Sequence, residues 1–466
     1  MPAFVPRPQA QTPQSGLGFA NAVTYDTGGF QAEAVVAADL KGDGKPDLVV
    51  VNACGGGPSC SSGTVGVLLN NGNGTFATAV TYGTNGFLAQ AAAVADVNGD
   101  GKPDIVVANN CASAPGGNGS CSTNGNVAVL LGNGDGTFQA AVAYDSGGPL
   151  ASSVAIADVN GDGKPDLLVV NHSSTTGVGD GTVAVLLGDG DGTFQAALNY
   201  DTGALQSEAV AVADVNGDGE PDLIVANMCQ VGTCDNGGSQ SGSVSVLLGN
   251  GDGTFKETAN YLSGASGTIA VAVADVNGDG KLDIAVSSYC SDPRGLLCGT
   301  SGTVSVFLGN GDGTFQSGTS LVTTAISTGS VAIADVNGDG KPDVLVSVVC
   351  AADPLNCGPG STSAQSSAGV FLGNGDGTFQ SAQYFGSIGY SSGLTLGLAV
   401  GDLTGDGKPD LIVTSWCADS SCNTGPPEHS LVGVLINTST FPTVSLSPSS
   451  ITFPDQYVGS SGFHRP

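Results

Sequence analysis

Short apolar runs separated by polar, glycine-rich turns recur along almost the whole chain. In the second unit the runs are AAAVADV (91–97), DIVVANN (104–110), NVAVLLG (126–132) and QAAVAYDSGG (139–148). No stretch suits a long amphipathic helix, and the Asn-Gly and Asp-Gly steps between the runs favour tight turns between antiparallel strands. The pattern therefore predicts a unit of four short antiparallel strands.

One nonapeptide, DVNGDGKPD or a near copy, marks each unit and occurs seven times. The period is 56 to 67 residues, the copies beginning at Asp39, Asp96, Asp158, Asp214, Asp275, Asp335 and Asp402. Four antiparallel strands repeated at this period are typical of β-propeller blades. Because a blade buries its faces only against its neighbours, the sequence predicts an all-β, seven-bladed β-propeller of four-stranded blades in a closed ring.

The two ends of the repeat region complement each other. Residues 18–34 match residues 137–153, the fourth strand of a unit and its exit, but they precede the first nonapeptide. The seventh unit continues through LVGVLINTS (431–439) and then lacks the Gly-Asp-Gly-Thr-Phe turn and a fourth strand. We therefore expect residues 20–26 to complete blade seven by pairing with residues 432–436, which would remove an open sheet edge.

The composition agrees with strands and turns and excludes several classes of partner. Of 466 residues, 75 are Gly, and 40% are apolar. The formal charge is −30 with only 11 Lys plus Arg, which excludes nucleic acid as a partner and argues against anionic membrane surfaces. No apolar stretch is long enough for membrane insertion. The three Asp residues of each of the seven nonapeptides make up 21 of the 41 acidic residues, so the charge is concentrated where cations could neutralise it.

The nonapeptide has the composition of a calcium-binding loop. Ca²⁺ takes about six to eight oxygen ligands in a flexible arrangement, whereas Mg²⁺ prefers a rigid octahedron and retains its waters. In Asp-x-Asn-Gly-Asp-Gly-x-x-Asp, positions 1, 3 and 5 can turn oxygens inward, and Gly at positions 4 and 6 permits positive φ. Position 7 can offer its carbonyl whatever its side chain, and Asp at position 9 can close the shell.

An EF-hand and an ion-free turn are the alternatives to such a calcium loop. An EF-hand needs Glu at position 12 and flanking helices, but the twelfth residue from Asp96 is Val107 in a β-rich run. One Asx-rich turn needs no ion, but three carboxylates in each of seven turns would repel without a counter-charge. The GNGDGTF turns carry fewer acids and are predicted to be hairpin turns whose Phe packs between blades, near Asp135, Asp191, Asp252, Asp312 and Asp376.

The seven acidic loops, over about residues 18–440, make the chain resemble the FG-GAP/VCBS repeat family, the calcium-loop propellers that include the integrin α-subunit head. Strand exits that read VVAN place it nearer the bacterial branch. Lys41 at position 3 of the first loop predicts a weak or water-completed site. The resemblance implies up to seven Ca²⁺, held by side chains at positions 1, 3, 5 and 9 and the carbonyl at position 7: Asp39, Asp43, Lys45, Asp47; Asp96, Asn98, Asp100, Lys102, Asp104; Asp158, Asn160, Asp162, Lys164, Asp166; Asp214, Asn216, Asp218, Glu220, Asp222; Asp275, Asn277, Asp279, Lys281, Asp283; Asp335, Asn337, Asp339, Lys341, Asp343; and Asp402, the poorer ligand Thr404, Asp406, Lys408, Asp410.

Twelve cysteines fall into six close pairs, each at the same place in its repeat. Local pairing within each loop predicts six disulfides and therefore an oxidising, exported location. Zinc is the alternative, but the spacings vary, no Cys-x-x-Cys occurs, and the chain has only three histidines. The pairs are Cys54/Cys60, Cys111/Cys121, Cys229/Cys234, Cys290/Cys298, Cys350/Cys357 and Cys417/Cys422.

The predicted domain organisation has three parts. Residues 1–17 form a flexible Pro/Gln leader without a visible signal peptide, and residues 18–440 form the propeller. Residues 441–466 resemble the truncated start of a bacterial immunoglobulin-like domain, or a linker. We expect a monomeric module of a larger chain.

The loops on the two faces of the propeller predict different roles. The acidic loops and GNGDGTF turns lie on one face, and the variable cysteine loops, with Tyr289 and Trp416, lie on the other. In integrins, ligands meet the face away from the calcium loops. The resemblance implies a secreted or cell-surface calcium-binding propeller that mediates adhesion or recognition of a glycan or protein ligand through the cysteine-loop face.

A rigid calcium-stabilised spacer and a polysaccharide lyase or hydrolase are the alternative functions. A lyase needs cations to neutralise a uronate, but outside the acidic loops and the termini the basic residues are Lys256 and Arg294. His172 lies in the one blade loop without cysteines and is interpreted as a solvated loop residue. We therefore expect no catalytic residues.

Overall fold

A computed structural model shows that the chain is built from β-strands. No helix occurs among the residues it describes, which confirms the all-β prediction. The described residues are 16–55, 62–113, 121, 124–172, 180–230, 241–290, 301–351, 364–386, 388–389, 396–417 and 429–440. The leader and the residues after 440 lie outside these ranges, so the domain boundaries stay predictions.

The strands form seven four-stranded antiparallel blades, in agreement with the predicted count. One strand, β1 (Val23–Asp26), belongs to the last blade. Blades one and two are β2 (Phe30–Ala38), β3 (Asp47–Cys54), β4 (Thr64–Leu68), β5 (Val80–Gly83); and β6 (Phe87–Ala95), β7 (Asp104–Cys111), β8 (Asn126–Leu130), β9 (Val142–Asp145). Blades three to five are β10 (Ala151–Ala157), β11 (Asp166–Asn171), β12 (Asp180–Leu186), β13 (Leu198–Ala213), β14 (Asp222–Gln230), β15 (Ser241–Gly249), β16 (Phe255–Ala274), β17 (Asp283–Cys290), β18 (Thr303–Phe307), β19 (Thr319–Val322). Blades six and seven are β20 (Ser327–Ala334), β21 (Asp343–Ala351), β22 (Ala364–Phe371), β23 (Gln383–Phe385); and β24 (Leu398–Gly401), β25 (Asp410–Ser415), β26 (Leu431–Leu435) with β1.

Blades three, four and five share strands. The long strands β13 and β16 each run as the fourth strand of one blade and continue as the first strand of the next. These three blades therefore form one ten-stranded sheet, while every other blade is a separate four-stranded sheet. First strands of neighbouring blades pack beside one another, so they surround the central axis.

The N-terminal strand closes blade seven, as the sequence predicted. β1 pairs antiparallel with β26, with Val23 opposite Val434 and Asp26 opposite Leu431. Before β1, Phe19 forms an isolated bridge with Asn437, which matches the bridges between Gly and the GDGTF Phe in other blades. The Phe that the seventh turn would contribute is thus supplied by the N-terminal segment.

The apolar core of the described residues consists of seven clusters, each shared by two consecutive blades. A row of seven blades has six junctions, whereas a ring has seven. The seventh cluster joins Leu48 and Val50 of blade one to Ile412 and Val432 of blade seven, all fully buried. Packing between faces therefore closes the ring, although no single sheet is continuous around it.

An aromatic pair lies at six of the seven junctions. The Phe of each turn packs edge-to-face on an aromatic residue in the fourth strand of the preceding blade, with centroids 4.9–5.7 Å apart. At the junction of blades five and six, Leu321 takes the place of that aromatic residue beside Phe379. The prediction that Phe packs between blades is confirmed. The pairs are Phe385–Phe19, Tyr25–Phe76, Tyr82–Phe138, Tyr144–Phe194, Tyr200–Phe255 and Tyr261–Phe315.

Removal of residues 1–26 should lower the melting temperature and cause the protein to self-associate, because β26 would present an unpaired edge. Calorimetry and light scattering after size exclusion would measure both effects. A matched control removes only residues 1–14, since the described contacts of this segment begin at Gly16, which accepts from the Thr440 N–H at 3.2 Å. An unchanged monomer with an unchanged melting temperature in the longer truncation would contradict closure by β1.

Candidate metal-binding loops

The seven acidic loops, numbered in chain order, each connect the first and second strands of a blade. Each begins after the first strand ends, and its position 9 is the first residue of the second strand. The GDG turn of the next blade rests on this loop: the Gly253 N–H donates to the Val159 carbonyl at 3.0 Å, and the Gly313 N–H donates to Val215 at 3.2 Å. Loops and turns therefore share one face, the acidic-loop face.

Side chains at positions 1 and 3 fold back on the loop's own backbone. In loop two, Asp96 accepts from the amides of Gly99 and Gly101, both at 2.7 Å, and Asn98 accepts from the Asp100 amide at 2.9 Å. The bond from the position 6 amide to the position 1 carboxylate recurs in all seven loops at 2.6–2.8 Å. These bonds hold every loop in the same tight curve.

Glycine at positions 4 and 6 is required by the backbone conformation. Gly99 and Gly101 have φ of 74° and 81°, in the left-handed region that disfavours other residues. A Cβ on Gly101 would meet nothing within 4 Å, so steric crowding does not explain this choice.

Position 9 holds a fully buried aspartate in every loop. Its Oδ2 accepts from the backbone N–H of position 2, and its Oδ1 accepts from the N–H of the residue at the end of the third strand. Both bonds occur in all seven blades, at 2.7–3.1 Å. The residues are Asp47, Asp104, Asp166, Asp222, Asp283, Asp343 and Asp410.

Burial raises the pKa of these position 9 carboxyl groups. The pKa rises to about 7 for Asp343 and to about 6 for Asp166, Asp222 and Asp410. The two N–H donors oppose the shift, and the negative charges at positions 1 and 5 of the same loop add to it. Each of these loops therefore concentrates negative charge around a carboxylate that is costly to ionise.

The donor chemistry of the loops fits a hard cation such as Ca²⁺. Every side chain at positions 1, 5 and 9 is a carboxylate, and position 3 is Asn in five loops. Among the residues that the structure describes, no three Asp, Glu, His or Cys side chains converge on a preformed metal position. The carboxylates at positions 1 and 9 accept from backbone amides instead, so the predicted ligand set stays a prediction.

Loop one shows how a cation is accommodated in this arrangement. The Lys41 ammonium lies 3.1 Å from Asp43 at position 5, 3.1 Å from Asp47 at position 9, and 3.1 Å from the Asn70 carbonyl oxygen. The sequence predicted that Lys41 would weaken this site, but its spacing alone did not indicate that the side chain would fold inward. Lys102 at position 7 of loop two is more exposed and forms an ion pair with Asp100 at position 5, at 3.1 Å.

The opposite face, the cysteine-loop face, carries the loops between second and third strands. A disulfide joins Cys111 to Cys121, as predicted, with their Cα atoms 5.3 Å apart. Cys54, Cys229 and Cys417 are also disulfide-bonded, but their predicted partners lie outside the described residues. The predicted partners of Cys290 and Cys350 also lie outside the described residues. Tyr289 and Trp416 are both half-buried.

His172 is not the solvated loop residue that the sequence suggested. Its Nδ1 lies 2.7 Å from Glu208 on the first strand of the next blade, and only 23% of the side chain is exposed. Burial lowers the pKa of His172, but the charge and hydrogen bond of Glu208 outweigh it and raise the pKa above its usual value. No local pattern indicated this pair, because 36 residues separate its members.

None of the described residues forms a helix of the length and apolarity needed to cross a membrane.

Comparisons with known proteins agree with this architecture. A family model described as the FG-GAP-like repeat matches more than half of the chain, at residues 39–107, 119–169, 175–225, 233–286, 296–346 and 360–413. A second model, the FG-GAP repeat, matches residues 88–130, 208–247 and 267–307.

Similar curated proteins are much longer than the matched region. Human integrin alpha-IIb is 30% identical over 151 residues, which are 30% of this chain and 14% of the integrin. Bovine phosphatidylinositol-glycan-specific phospholipase D is 31% identical over 191 residues, which are 37% of this chain and 22% of that protein. The crystal structure of the Vibrio cholerae biofilm matrix protein Bap1 is 14% identical, with a TM-score of 0.46 over 90% of this chain and 91% of that one.

In a chelating buffer, the melting temperature should fall as the pH rises from about 5 to about 8. The position 9 carboxyl groups have a higher pKa in the folded protein than in the unfolded chain, so protonation stabilises the fold. This stabilisation is fully present at pH values below the ordinary carboxyl pKa. It is lost as the pH rises through about 6 to about 7. Calorimetry at several pH values would measure the slope.

His172→Gln is the control for this slope, because His172 also has a raised pKa and titrates in the same direction. The slope of melting temperature against pH should persist in His172→Gln. Excess CaCl₂ should make this slope shallower. A melting temperature that rises with pH in the chelating buffer would contradict the burial cost assigned to these carboxylates.

Proposed function

Because the chain belongs to the FG-GAP-like repeat family, we propose that it is an extracellular calcium-binding β-propeller that mediates adhesion or recognition. Its ligand, a glycan or a protein, would bind on the cysteine-loop face. The observation that carries this proposal is the division between the two faces: acidic hairpins of nearly constant sequence on one, and loops of varied length and sequence on the other.

The calcium part of the proposal is supported by the loops themselves. The side chains at positions 1, 3, 5 and 9 and the carbonyl at position 7 would hold the ion. Bound Ca²⁺ would neutralise the carboxylates that crowd each loop. The chain's own residues position these donors: the glycines set the curve, and the position 9 aspartate ties the loop to the third strand.

The recognition part is supported by how each face is used. On the acidic-loop face, turns and loops are occupied in contacts between neighbouring blades. On the cysteine-loop face, exposed Asx turns follow the fourth strands: Asp145 accepts from the Gly147 amide at 2.8 Å and from the Asn124 side chain at 3.0 Å. The Cys111–Cys121 disulfide lies beside this surface, which suits a binding surface in an oxidising compartment.

We propose no catalytic role for the two histidines that the structure describes. His172 is held by Glu208, and His429 lies 2.8 Å from Asp26 beside the closing strand. Each histidine side chain contacts a carboxylate of a neighbouring segment. The proposal rests on these contacts, since the integrin match covers 14% of the integrin and the phospholipase match covers 22% of that enzyme.

Chelation should lower the melting temperature strongly, and added Ca²⁺ should restore it better than Mg²⁺. A single site with free Ca²⁺ a thousandfold above its Kd contributes about 4 kcal/mol to the free energy of unfolding, and several sites add to this. Calorimetry with and without EDTA measures the effect. Equal melting temperatures in EDTA and in CaCl₂ would refute calcium binding by the loops.

Ligand binding should be lost on charge reversal at the cysteine-loop face alone. We expect an Asp145→Lys and Asp201→Lys double variant to lose most of its signal on glycan and protein arrays read in CaCl₂. The matched control is Asp135→Lys with Asp191→Lys. All four are exposed aspartates that accept from an amide two residues later, but the control pair lies on the acidic-loop face.

Three results would change the proposal. Absence of any array ligand for the calcium-loaded protein would favour a rigid spacer. Loss of binding in the control pair alone would place recognition on the acidic-loop face. Release of reducing ends from a polysaccharide substrate would favour a lyase or hydrolase.

A further inference from the structure

We infer that acidic loop one binds no divalent cation, because the ammonium of Lys41 takes the place that a metal ion takes in the other six loops. This inference rests on the proposed calcium binding of those six. It assigns Lys41 as a tethered counter-ion and makes one blade of the ring independent of calcium.

The contacts of Lys41 are those of a bound cation. Its three N–H groups have three acceptors at 3.1 Å: Asp43, Asp47 and the carbonyl of Asn70. A lysine ammonium has three donors and no acceptor, so every donor is satisfied. Two of the acceptors are the carboxylates at positions 5 and 9, which the resemblance assigns to the metal.

The side chain of Lys41 is also more enclosed than the other loop lysines. It is 20% exposed, whereas among the position 7 lysines Lys408 is 26% exposed and Lys102, Lys164 and Lys281 are 43–45% exposed. Lys102, Lys164 and Lys281 form ion pairs with position 5, at 3.1–3.8 Å, and none of these three forms an ion pair with position 9. In their loops, the inner side of the position 5 carboxylate has no such ammonium.

Lys41 and a calcium ion could not share loop one. Calcium binds oxygen at about 2.3–2.6 Å, and the ammonium already lies against the oxygens of Asp43 and Asp47. Two cations on the same two carboxylates would also repel each other. Asn at position 3 of loops two to six presents an oxygen instead, which accepts from the position 5 amide in each.

Loop one lies at the junction of blades one and seven, so a lysine in place of a metal ion affects the closure of the ring. Asn70, whose carbonyl accepts from Lys41, donates its amide N–H to Asp47 at 2.7 Å and its side-chain N–H to Leu403 of blade seven at 2.9 Å. Lys41 therefore braces the junction of blades one and seven, where the two ends of the propeller meet. That junction would keep its counter-charge when calcium is scarce.

Metal analysis after equilibrium dialysis in CaCl₂ tests the inference. We expect six Ca²⁺ per wild-type chain, seven for Lys41→Asn, which introduces the side chain of loops two to six, and six for Lys41→Met. Seven ions in the wild type, or no additional ion in Lys41→Asn, would overturn it. No ions in any variant would refute the proposed calcium function.

A second measurement keeps the role of the ammonium testable whatever the metal count. In EDTA, Lys41→Met should lower the melting temperature by roughly 3–6 °C, because Asp47 stays buried without its partner. Lys102→Met is the matched control, since it removes an exposed lysine that contacts one carboxylate, and should change the melting temperature by less than about 1 °C. Equal effects of the two substitutions would show that Lys41 is an ordinary surface lysine.

Discussion

A buried aspartate at the start of each second strand is the interaction on which the rest of the molecule depends. Its two oxygens hold the backbone of the acidic loop and the end of the third strand together, seven times, with almost the same distances. The carboxylate fixes the shape of the loop, yet its burial raises its own pKa. The loop therefore gains both its conformation and its need for a positive charge from one side chain.

The seven loops meet this need for a positive charge in two ways. Six loops keep an oxygen donor at position 3, which suits a free divalent ion, whereas loop one supplies a covalently attached ammonium. A covalently attached cation is present at any calcium concentration, but it carries half the charge of Ca²⁺. The ring thus combines a junction whose counter-charge is permanent with others whose counter-charge would vary with the surrounding calcium concentration.

Much of the fold could be predicted because its signals are local and repeated. Strand periodicity predicts the blades, and glycine at positions 4 and 6 predicts the tight turns. The duplicated fourth strand predicts closure by residues 20–26. Contacts between units could not be predicted in the same way. The His172 pair with Glu208 depends on how two neighbouring blades are oriented, which no single repeat encodes. The inward fold of Lys41 was missed because a lysine beside aspartates usually remains in solvent.

The pairing of β1 with β26 joins segments at opposite ends of the propeller; the Gly18 amide and the Ser439 hydroxyl that bond beside it are 421 residues apart in sequence. During synthesis the first strand must wait for the last one, and until then the apolar sides of blades one and seven face water. Long-range pairing of this kind makes folding slow and exposes the nascent chain to aggregation. Export in an unfolded state, with assembly only after the whole chain has emerged, would avoid that hazard, and a calcium-rich exterior would then favour the finished ring.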